Sequence, residues 1–214
     1  MRALLTSKWT KVALFFLCLI PFAGLVRRIL NSQLGANPVE TLQHATGDWT
    51  LRFLVFTLCI TPFRKLFQLP ELIRFRRMLG LFAFFYVSLH FLTYLGPDQQ
   101  FDLAGMWKDV AKRPFITVGF TAFVLLIPLA VTSTAGWIRR LGGQRWRMLH
   151  RSIYVAAVCG VIHYYWLVKS DVRKPLFYGA LVGILLLWRL GDWFFKQRSQ
   201  APARVSAPSV SLNG

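Results

Sequence analysis

Apolar residues are gathered into six runs that contain no Asp, Glu, Lys or Arg: 12–26, 53–63, 78–97, 114–138, 152–168 and 175–188. A helix needs about 20 residues to cross a hydrocarbon core of roughly 30 Å. The runs therefore predict six transmembrane helices, over 9–27, 48–63, 78–96, 114–136, 149–168 and 175–195. The expected fold class is all-α, a polytopic membrane helix bundle occupying residues 1–196. The second span is the weakest, because its uncharged run has 11 residues and Arg52 must snorkel to the interface for it to cross. The first run follows Arg2, Lys8 and Lys11 as a signal peptide would, but it ends Leu25-Val26-Arg27-Arg28 without a small-x-small cleavage pattern, so it is read as a retained span. Residues 197–214 are rich in Ser, Ala and Pro and are expected to be a disordered cytoplasmic tail.

Composition supports the same class. The chain has 214 residues, 55% hydrophobic and only 16% charged, against about 25% charged in an ordinary soluble domain. Its net charge is +18, from 26 basic and 8 acidic residues. On a soluble fold that excess would suggest nucleic acid. Here the basic residues punctuate the spans, so the partner they imply is the lipid bilayer and not a nucleic acid. Seventeen of the 26 fall on the side holding both termini and the segments 64–77 and 137–151, and six of the eight acids fall on the other. The positive-inside rule then places both termini in the cytoplasm. Cys18, Cys59 and Cys159 all lie in apolar runs, with no C-x-x-C spacing to suggest a zinc or redox motif.

Three of the four histidines lie in or at the ends of spans. An ionisable residue within a membrane is costly and marks function by default, the alternative being a hydrogen bond across a helix interface. Depth separates the two readings. Helix 3 starts near Met78 and helix 5 near His150, on the same side of the membrane. His90 then lies about 18 Å in and His163 about 20 Å in, at 1.5 Å per residue. Two neutral imidazoles at one level across a bundle suit the axial positions of a haem iron. Gly160 and Ser88 offer small neighbours. His150 is a third candidate ligand, at the cytoplasmic end of helix 5. The matching level of helix 3 carries Arg76 and Arg77 rather than a histidine, so a second haem lacks an obvious partner. His44 lies near the outer face.

Arg74, Arg76, Arg77, Arg147 and Arg151 crowd the cytoplasmic side. Topology alone accounts for basic residues there. The sharper reading is an anionic cofactor, because arginine forks bind phosphate and carboxylate bidentately. There is no G-x-G-x-x-G or P-loop pattern, so no nicotinamide domain is expected in this chain. Haem propionates or a flavin phosphate would suit the cluster. A reading from another class also stands: a small polytopic transporter or assembly protein that uses its histidines for proton relay or packing.

Longer segments carry a resemblance. They are Leu34-Gly35-Ala36-Asn37-Pro38-Val39-Glu40, Leu72-Ile73-Arg74-Phe75-Arg76-Arg77-Met78-Leu79-Gly80, Thr132-Ser133-Thr134, Leu141-Gly142, Trp146-Arg147-Met148-Leu149-His150-Arg151, Tyr154 and His163-Tyr164-Tyr165-Trp166. With them the chain, except its tail, resembles the haem-binding membrane subunits of bacterial periplasmic methionine sulfoxide reductase systems. The wider relatives are ferric-reductase-like membrane domains. Those carry two stacked haems on two histidines from each of two helices, whereas Arg76 or Arg77 stands here near the fourth position. The resemblance implies an inner-membrane subunit that binds haem b and FMN. It implies electrons from the quinone pool, passed to a periplasmic molybdopterin partner, MsrP, that repairs oxidised methionines.

Overall fold

The computed structural model describes residues 2–200, and nearly all of them are helical. The helices are α1 (Arg2–Thr6), α2 (Lys8–Leu30), α3 (Pro38–Leu66), α4 (Ile73–Thr93), α5 (Leu103–Lys112), α6 (Pro114–Val131), α7 (Ala135–Leu149), α8 (Ser152–Leu167) and α9 (Arg173–Gln200). Each expected span maps onto one of α2, α3, α4, α6, α8 and α9, but 78–96, 114–136 and 149–168 overrun the ends of α4, α6 and α8. By length and composition α2, α6, α9 and the stretch Pro70–Asp98 containing α4 can each cross a membrane, and α8 is a shorter apolar helix. The chain is an all-α, multi-pass membrane bundle. The expected disordered tail lies largely outside the described residues, and α9 continues through its first positions to Gln200.

The helix that hydropathy renders most weakly is the centre of the bundle. α3 runs 29 residues and begins at Pro38, ten residues before the expected span. Its start is built by Asn37, whose side chain accepts from the Glu40 amide and donates to the Glu40 carboxylate, with Pro38 supplying a helical φ at the first position. Thr46, Thr50 and Thr57 are buried, and each returns its hydroxyl to the carbonyl four residues back. A helix surrounded by protein need not be apolar all round, and this one packs chiefly on α4. Arg52 is held by protein partners. Its Nε donates to Tyr178 at 3.2 Å, its Nη2 lies 3.6 Å from Asp48, and its guanidinium covers the Trp49 ring.

The core is a column of stacked rings between α3 and α4. Phe53 stacks on Tyr86 and Phe82 at centroid separations of 5.2 and 5.6 Å. Tyr86 is fully buried, and its hydroxyl donates to the Cys18 carbonyl and accepts from the Phe22 amide. Those two groups are an i, i−4 pair of α2 beside Pro21, so Tyr86 wedges the ladder where proline has already weakened it. The other tight pair is α6 with α8. α4 meets α6, but α4 and α8 do not form a packed pair.

Two connections expected as loops are helical. α5 is a short helix with Met106 and Val110 turned in and Leu103 and Trp107 turned out. α7 is broken at Gly142, whose φ of +72° suits glycine and no L-residue with a Cβ.

Candidate functional site

His90 near the end of α4 and His163 near the end of α8 face each other, with ring centroids 6.1 Å apart and planes 80° apart. Both are half-buried. The Nδ1 of His90 lies 3.0 Å from the Gln43 carbonyl and 3.3 Å from Thr46 Oγ1. The Nδ1 of His163 lies 2.7 Å from the Phe115 carbonyl. A carbonyl can only accept, so each Nδ1 carries the proton and each Nε2 keeps its lone pair. This is the arrangement in which an outer hydrogen bond fixes the tautomer and aim of a metal-ligating imidazole.

The separation fits two axial ligands on one metal. A metal–imidazole bond of about 2 Å on each side, with the ring centre a further ångström out, puts two centroids roughly 6 Å apart. Among the described residues no three His, Cys, Asp or Glu side chains converge on a point. A pair of imidazoles suits a metal whose remaining positions a macrocycle fills. The helices bearing them are linked through α3 and α6 rather than packed on one another, which leaves the gap between the rings bounded by neighbouring helices.

Two glycines make the geometry possible. A Cβ on Gly119 of α6 would stand 2.6 Å from His163 Nδ1, and one on Gly47 of α3 would stand 3.3 Å from the His90 ring. Both positions lie one helical turn from the carbonyls that hold the rings, Phe115 on α6 and Gln43 on α3. The small residues singled out in the sequence do other work: a Cβ on Gly160 would meet Leu51, and Ser88 returns its hydroxyl to the Phe84 carbonyl. Nothing in the sequence flags Gly47 and Gly119 beyond their being glycines within helices.

His150 is placed at the opposite end of the bundle, capping α7. Its Nε2 lies 3.1 Å from Thr132 Oγ1, and its ring stacks on Trp146 at 4.0 Å. The Trp146 indole donates to the Thr132 carbonyl. Burial, and then the nearby Arg76 charge, hold its pKa below the usual histidine range. Among the described residues no second histidine is brought to it. His44 is exposed and lies 3.6 Å from Glu40.

The arginines divide. Arg74 donates to the carbonyls of Leu5, Thr6 and Ser7, closing the end of α1. Arg76 is half-buried and lies within electrostatic reach of His150 and Arg189. Arg77, Arg147 and Arg151 are exposed.

Residues 46–161 match the family model described as "Ferric reductase like transmembrane component". That segment opens at Thr46, beside the His90 anchor, and covers more than half of the chain. A protein of Herminiimonas arsenicoxydans is 56% identical over 192 residues, spanning 89% of this chain and 88% of its own length. A protein of Polaromonas naphthalenivorans is 49% identical over 199 residues, spanning 90% and 91%. One of Rhodospirillum rubrum is 48% identical over 194 residues, spanning 90% and 93%. All three are named protein-methionine-sulfoxide reductase heme-binding subunit MsrQ. The chain belongs to the MsrQ family. No solved structure matches it. The similarity to these MsrQ relatives covers about nine tenths of the chain.

Proposed function

We propose that this chain is a membrane electron-transfer subunit that holds haem b between His90 and His163 and serves a periplasmic methionine sulfoxide reductase. The observation that carries this reading is the imidazole pair, 6.1 Å apart, each ring tied through Nδ1 to a backbone carbonyl, with no hydrogen bond at Nε2 among the described residues. The printed names of the relatives agree, since each is called heme-binding. When bound, haem supplies a one-electron carrier inside a layer that a bare charge crosses only at great cost. The protein's part is to bind and orient. Gln43 and Phe115 fix the two rings, Thr46 adds a hydroxyl beside the first, and the bundle excludes water.

In this reading the charge bias places both termini in the cytoplasm of a bacterium and the His90–His163 level in the outer half of the inner membrane. Electrons enter from the quinone pool or a reduced flavin, FMN, at the basic end where Arg76, Arg77, Arg147, Arg151 and His150 gather. They leave at the opposite face to the molybdopterin subunit MsrP, which reduces oxidised methionines in periplasmic proteins. Of the arginines, Arg74 is spent on α1, so Arg76 is the better-placed cofactor contact.

The test is spectroscopic. Purified protein should show an intense Soret band that shifts on reduction, and His90→Ala or His163→Ala should remove it while membrane insertion persists. If both variants keep the wild-type spectrum, the axial assignment is wrong. A protein without any such band would favour the transporter reading.

A further inference from the structure

At the His150 end, three helices converge on a side chain that plays no part in the site above. Arg189 of α9 is half-buried. Its Nη1 donates to Tyr154 Oη on α8, and its Nη2 donates to the Leu58 carbonyl on α3 at 3.1 Å. The guanidinium carbon sits 4.8 Å from the Tyr154 ring centroid. Its Nε–H is buried and has no hydrogen-bond partner among the described residues, and the same is true of Thr61 Oγ1, one turn along α3 from Leu58.

The charge around it is unbalanced. Arg189 bonds only to neutral oxygens. Asp192, the nearest acid along α9, is engaged by Lys65 and, at 3.4 Å, by Lys196. A guanidinium taken out of water is stable when its donors meet acceptors, and it gains most from a charged one. This one is held at two nitrogens by Leu58 of α3 and Tyr154 of α8, and its buried Nε–H is left unpaired. A planar fork with a spare N–H matches the tetrahedral oxygens of a phosphate.

We infer that Arg189, braced by Tyr154 and Leu58, is a binding site for a phosphate-class oxyanion at this end of the bundle. The phosphate comes either from a nucleotide such as FMN, entering from the aqueous side, or from the head group of an anionic lipid. The inference deepens the proposed function by naming what the donor end recognises. It takes from that reading only the assignment of this end as the one the donor approaches.

The experiment uses the full chain, purified in detergent. Its thermal unfolding midpoint is followed against inorganic phosphate, FMN and short-chain phosphatidylglycerol, at constant ionic strength with chloride as the reference. Haem content is read in parallel from the Soret band. At least one phosphate-bearing probe should raise the wild-type midpoint where chloride does not. Arg189→Gln should weaken the apparent affinity roughly ten- to hundredfold, the loss of a charge-assisted hydrogen bond. Arg189→Lys, which keeps the charge without the fork, should recover only a small part. Tyr154→Phe should show an intermediate loss. A response to FMN alone identifies a nucleotide source, and a response to the lipid alone identifies the membrane. Either supports the site. A wild type that responds to no probe beyond chloride overturns it, as does Arg189→Gln responding like wild type. If Arg189→Gln does not fold, wild-type responses in both Arg189→Lys and Tyr154→Phe overturn it instead. The Soret band separates this inference from the haem reading. His90 and His163 sit at the other end, so a lost Soret band in wild type sinks the haem pair and leaves the oxyanion data standing.

Discussion

His90–His163 and His150 are the same side chain in two settings at opposite ends of one bundle. In the first, both rings give their Nδ1 protons to backbone carbonyls, and the ring centroids stand 6.1 Å apart. In the second, Nε2 is already in contact with Thr132 and the ring face lies on Trp146. Membrane depth makes all three histidines candidates. What distinguishes a ligand from a packed residue is which nitrogen is engaged, and that is decided by the helix opposite. α3 and α6 present carbonyls at the first site, whereas the end of α6 presents a hydroxyl at the second.

The largest expected contrast is in haem content. His90→Ala and His163→Ala should each lose nearly all haem by pyridine haemochrome assay, and His150→Ala should keep most of it. Equal losses in all three would erase the distinction between the ends. Gly119→Ala should come next. Its methyl would stand 2.6 Å from His163 Nδ1, and overpacking of that kind costs about 1–3 kcal/mol. The helix-propensity gain over glycine is only about 1 kcal/mol, so displacement of the ring should win. A several-fold drop in haem, or a loss of the low-spin electron paramagnetic resonance signal, is the expected readout. Gly47→Ala meets His90 at 3.3 Å, where a shift of a few tenths of an ångström suffices. There the two terms nearly cancel, and haem content should stay close to wild type. The smallest effect belongs to the other end. Thr132→Val removes the His150 contact and should cost about 1 kcal/mol of stability in thermal unfolding. The Soret band should not change.

The histidine pairing was legible because helical rise is constant, so counting residues from the charged ends gives depth. Its supports were not. Gly47 and Gly119 carry no periodic signal, and which carbonyl meets a ring depends on how helices cross. The bundle class followed from the uncharged runs. The length of α3 did not, because Arg52 reads as interfacial when it bonds Tyr178 and pairs with Asp48, and because polar Thr46 and Thr50 are buried. α5 and α7 were hidden by their shortness and mixed polarity. Arg189 carries no signal in the sequence beyond its charge, and its contacts with Tyr154 and Leu58 give it a role.

The polarity of α3 has a consequence for biogenesis. It is the central helix, yet it is not among those apolar enough to cross a membrane on their own, while the stretch containing α4 is. A translocon tests segments for partitioning into lipid as they emerge. α3 is expected to fail that test alone and to enter the bilayer as a hairpin with α4, once Phe82 and Tyr86 are available to stack on Phe53. Chains truncated before Ile73 should leave α3 accessible to water-borne labelling reagents, and chains extended past Thr93 should protect it.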